Sequence, residues 1–74
     1  MFKNWRRKAG FYSQKELAEK LGVCQTTVFY WESGQIVPDA LELESLSNLL
    51  NVPMVDIIAF FKAKREEQEK SGKD

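Results

Sequence analysis

A compact all-α bundle of five helices is the fold class this 74-residue chain predicts, and three observations predict it. Apolar residues recur three and four apart along most of the chain, the spacing of one helical face. Gly10, Gly22, Gly34 and Asn51 close successive stretches, as residues tolerant of positive φ do at helix ends. No run alternates apolar and polar long enough to make a strand. The balance of 43% hydrophobic and 30% charged residues is that of an ordinary globular domain. One domain of this size buries only about 60% of its unfolded surface, so a modest stability is expected, and large internal cavities, cofactor clefts and two-lobed enzymes are not.

The elements follow in order. Phe2, Trp5 and Ala9 fall on one face of a first helix, which Gly10 ends with a left-handed cap. Ser13-Gln14-Lys15-Glu16 fits the capping-box pattern and opens a second helix, with Leu17, Ala18 and Leu21 inward and Gly22 as its stop. A third helix is expected from Gln25 to Ser33, with Cys24 in the N-cap slot, Val28 and Trp31 inward, and Gly34 at its end. Pro38-Asp39 starts a fourth with Leu43, Leu46 and Leu50 as its inner stripe, and Asn51-Val52-Pro53 breaks it. The fifth begins near Met54 and turns Ile57, Ile58 and Phe61 inward. The domain is expected to span residues 1–61, and residues 62–74 to form a polar C-terminal helix extension or tail.

Composition removes several functions. Histidine is absent and Cys24 is the sole cysteine, so neither a zinc site nor an intramolecular disulfide is expected. A single cysteine fits a reducing compartment, and a cytoplasmic location is expected. No apolar run reaches the ~20 residues that span a bilayer. Paired metal ligands, a glycine-rich phosphate loop and a catalytic constellation are all missing, so neither catalysis nor a cofactor is expected. Net charge is zero, but its distribution is uneven: residues 21–61 hold Glu32, Asp39, Glu42, Glu44 and Asp56 and no base. A nucleic-acid binder is ordinarily basic on one face, and only the N-terminal third can supply one here.

The informative stretch is S-Q-K-E-L-A-E-K-L-G-V-C-Q-T-T-V-F-Y-W-E-S-G, residues 13–34. Two short helices joined at Gly22, with small Ala18 permitting close approach, have the layout of a helix-turn-helix. Such a motif projects the start of its second helix into the DNA major groove.

These residues, with Arg6 before Gly10, Trp31-Glu32-x-Gly34, and the later Pro38, Leu43, Leu46, Leu50, Val52 and Ile58, carry a resemblance over roughly residues 2–60. The chain resembles the Cro/CI-type, XRE-like helix-turn-helix domains of phage repressors and bacterial transcriptional regulators. The resemblance implies a lambda-repressor-like DNA-binding fold in which Gln14, with Lys15 beside it, contacts phosphate. It also implies that Gln14 braces Gln25, the first residue of the reading helix. An amide at Gln25 can pair with N6 and N7 of adenine, and Thr26, Thr27 and Tyr30 occupy further base-facing positions. The resemblance matches Arg6 and Glu32 to an internal ion pair. Trp31, three residues from Val28, belongs to the core rather than to a base stack.

Departures from that pattern leave a second function open. Phe29 stands where small or polar residues are usual, and the loop Gln35-Ile36-Val37-Pro38 lacks the Lys or Arg that relatives use on phosphate. Gln35 offers one neutral contact there, and each missing charge weakens the counterion-release contribution to affinity. Phe29 and Tyr30 are candidate protein anchors. Leu41, Leu49, Val55 and Phe60 lie off the expected inner stripes, and Leu41 and Phe60 join the candidate anchors. The partners implied are operator DNA, a second copy of the chain, and a partner repressor protein. The leading function is sequence-specific regulation of transcription, as a small Cro-like part of a phage or mobile-element switch. The alternative is an antirepressor that turns the same surface on a repressor.

Overall fold

The computed structural model describes residues 1–71, with side chains through Glu67, and the last three residues of the predicted polar tail lie outside the described part. Five helices follow in the expected order: α1 (Phe2–Lys8), α2 (Gln14–Leu21), α3 (Gln25–Ser33), α4 (Ala40–Leu50) and α5 (Met54–Ser71). No strand occurs among the described residues.

Local chemistry accounts for each boundary. At α2, Glu16 N–H donates to Ser13 Oγ at 3.1 Å and Ser13 N–H donates to Glu16 Oε1 at 2.9 Å. Asp39 and Glu42 repeat the device at α4, at 2.8 and 3.0 Å. Each box satisfies two amides that a helix start leaves without partners, and such a cap contributes about 1 kcal/mol. Asn51 ends α4 in the left-handed region at φ 57°, and Ser47 Oγ donates to the Val52 carbonyl at 2.6 Å to close the turn. The helix α5 runs unbroken through position 61, so residues 62–71 prolong it.

The core gathers around Phe2, Leu17, Val28, Trp31, Leu46 and Ile57, each at most 1% exposed. Leu50, Val52 and Phe61 extend it, while Leu21 and Leu43 are half-buried at its margin. Three apolar assignments need correction. Phe60, expected as an exposed anchor, is 8% exposed, with its ring centroid 5.8 Å from Phe2 and 5.9 Å from Trp5. The first helix crosses α5 on that side, which widens the apolar stripe beyond the Ile57–Phe61 line. Leu49 is likewise half-buried against the core rather than surface-facing. In exchange Ile58, expected inward, is 42% exposed. Leu41 and Val55 do stand exposed.

Candidate nucleic-acid interface

The site is built on the α2–α3 turn. Gly22 takes φ 76°, where a side chain would be strained, and Val23 N–H donates to the Ala18 carbonyl at 3.0 Å. Leu17 and Ala18 of α2 and Val28 and Trp31 of α3 are buried together, which fixes the angle between the two helices. The first turn of α3 is left outside. Cys24 is its N-cap without a side-chain cap bond, and Cys24, Gln25 and Thr26 are exposed, with Thr27 half-buried. This turn presents one amide and two hydroxyls and no charge, on the end of a helix whose dipole favours anions.

Two bonds hold the other end of α3, and a third seats the arginine that makes one of them. Arg6 Nε donates to Glu32 Oε2 at 2.7 Å, Arg6 Nη1 donates to the Phe11 carbonyl at 2.8 Å, and Gln14 Nε2 donates to Glu32 Oε1 at 3.2 Å. Arg6 is the one charged residue buried among the described residues, at 3% exposure. Glu32 therefore joins α1, α2 and α3 through one carboxylate. Gln14 spends its amide here, not on Gln25, so the brace that the resemblance implies between the two glutamines gives way to a bond with Glu32. A carboxylate attracts an amide N–H more strongly than a neutral amide oxygen does.

After α3 the chain turns sharply. Gly34 has φ 81° and is buried, and a Cβ there would sit 2.6 Å from Lys64 Cβ. The prolonged α5 thus lies directly against the C-cap of α3, a contact with no signature in the sequence around either residue. The Tyr30 carbonyl accepts from Ser33 Oγ at 3.1 Å, Gln35 N–H at 2.9 Å and Ile36 N–H at 3.4 Å. Phe29 is 49% exposed and packs edge-on to half-buried Tyr30, with centroids 5.6 Å apart. Gln35 and Lys15 are exposed. Of the named anchors, Leu41 is exposed on α4 and Phe60 is withdrawn into the core.

A family model described as helix-turn-helix matches residues 3–57, three quarters of the chain. The chain belongs to the Cro/CI-type, XRE-like helix-turn-helix family. This is a family of DNA-binding regulators, typically not enzymes, and its all-α fold is the one described above. Searches of curated proteins and of solved structures return no match. Among the described residues no single helix is long and apolar enough to cross a membrane, and no cluster of His, Cys, Asp and Glu could hold a metal ion.

Proposed function

We propose that this XRE-type regulator reads operator DNA with the first turns of α3, as a small Cro-like component of a phage or mobile-element switch. Gln25, Thr26, Thr27 and Tyr30 address bases, and Lys15 and Gln35 address phosphates on either side. Gln14, which gives one amide N–H to Glu32, offers its second to phosphate. The observation that carries this reading is the exposed first turn of α3, Gln25 and Thr26 outermost, on a helix whose far end is tied into the core. A bidentate amide–adenine contact discriminates by about 1–3 kcal/mol against the wrong base. With few cations near the site, binding is expected to be weaker in phosphate contacts than is usual and correspondingly less steep in salt. The test is a titration of the protein on promoter DNA from its own locus between low and physiological salt. A sequence preference that survives competitor DNA supports the reading, and no binding at low salt sinks it.

One observation favours a second reading. Phe29 is a half-exposed aromatic ring on an uncharged face, braced by Tyr30, as a protein anchor would be. On that reading the protein is an antirepressor, and the acidic span from residue 21 to 61 suits the basic DNA-binding face of a partner repressor. Gln25→Ala and Phe29→Ala separate the two. Loss of DNA binding from Gln25→Ala supports base reading. Loss of repressor binding from Phe29→Ala, with DNA never bound, supports the antirepressor.

A further inference from the structure

We propose that a groove between the loop after α3, α4 and α5, away from the first turn of α3, receives an acidic amphipathic helix of a partner protein. The groove has a volume of about 310 Å³ and is lined by Val37, Leu43, Ile58, Phe61, Lys62 and Arg65. Phe61 is its buried floor, and Val37 and Ile58 stay nearly half exposed, at 46% and 42%. Both charged residues that line it are cations, and no carboxylate does.

The chemistry along α5 has a direction. Met54, Ile58, Lys62 and Arg65 fall at i, i+4, i+8 and i+11, one face of the helix. The first half of that face is apolar and partly exposed, and the second half is cationic and exposed. At 1.5 Å per residue the stripe is about 16 Å long, the length of three helical turns. A partner helix of that length, laid along α5, seats leucine-sized side chains on Val37 and Ile58. Its carboxylates then meet Lys62 and Arg65. Neither cation forms an ion pair among the described residues. DNA would satisfy the cations but would leave the apolar half without contact, which favours a protein over a nucleic acid here.

The experiment uses the full isotope-labelled chain and two synthetic helical peptides, one with Leu and Glu at i, i+4 spacing and its twin with Lys for Glu. Binding is followed by fluorescence anisotropy and by methyl NMR. The acidic peptide is expected to bind and to shift the Val37, Leu43 and Ile58 methyl signals. The double variant Lys62→Glu, Arg65→Glu is expected to lose about tenfold in affinity for it, the order of two exposed ion pairs, and to gain for the basic twin. Both positions are exposed, and the variant's unfolding transition checks that the fold is kept. Failure of the acidic peptide to bind, equal binding of the two peptides, or shifts centred on Gln25–Tyr30 would each overturn the proposal. So would self-association in sedimentation that Ile58→Ser abolishes, since a second copy would then fill the groove. Operator binding in the variant, measured in parallel, reports on the α3 surface independently.

Discussion

The two ends of α3 are built on opposite plans. At its C-terminal end Trp31 is buried, Glu32 takes bonds from Arg6 and Gln14, and Gly34 lies against Lys64. At its N-terminal end Cys24 gives no side-chain cap, and Gln25 and Thr26 project into solvent. Nine residues separate a clamped end from an unencumbered one. The difference shows how so small a domain can hold a reading surface rigidly without burying it. The helix is located from behind, and its tip needs no supporting contacts that a ligand would have to displace.

Substitutions can break this contrast, and the largest effect is expected at the clamp. Trp31→Ala should cost about 4 kcal/mol in urea unfolding, because a large fully buried ring leaves a cavity that short helices refill poorly. Glu32→Ala should cost about 3 kcal/mol, since it leaves the Arg6 guanidinium buried without its counter-ion. Replacing both partners, Arg6→Met with Glu32→Leu, should recover most of that loss, whereas a purely packing role for Glu32 would leave the double variant as unstable as the single one. Next come the two turn glycines. Gly34→Ala meets both a strained φ and the Lys64 stem, and should cost about 2–3 kcal/mol. Gly22→Ala meets strain alone, because nothing lies within 4 Å of the added carbon, and should cost about 1 kcal/mol. Equal losses at the two glycines would show that α5 does not press on α3. The smallest change in stability belongs to the tip. Gln25→Ala should leave the unfolding midpoint within about 0.5 kcal/mol of the parent, as surface substitutions do. Its expected effect is on operator affinity, which a mobility-shift titration would read.

The clamp and the tip were unequally legible in the sequence. Capping boxes at Ser13 and Asp39 and the left-handed residues Gly22, Gly34 and Asn51 are local codes, so the helix boundaries could be read off directly. Val28 and Trp31 were legible because a three-residue spacing has one inward face. Phe60 was not, since its burial depends on where Phe2 and Trp5 cross α5, and periodicity within α5 carries no word of that crossing. The same blindness hid the approach of Lys64 to Gly34, thirty residues apart. Gln14 illustrates a subtler failure. Its position was legible, but the partner of its amide, the carboxylate of Glu32 eighteen residues on, is set by how α2 and α3 are placed against each other.

One carbonyl has a consequence for motion. Tyr30 C=O gathers Ser33 Oγ and the amides of Gln35 and Ile36, so two loop amides are fastened to the last turns of α3. Deuterium should therefore enter at Gln35 and Ile36 only when the end of α3 opens, and their exchange should track that of core amides. At the opposite pole, the amides of Gln25 and Thr26, at the start of the helix, should label almost at once. A map of exchange times along this one helix would run from fast to slow over about 13 Å.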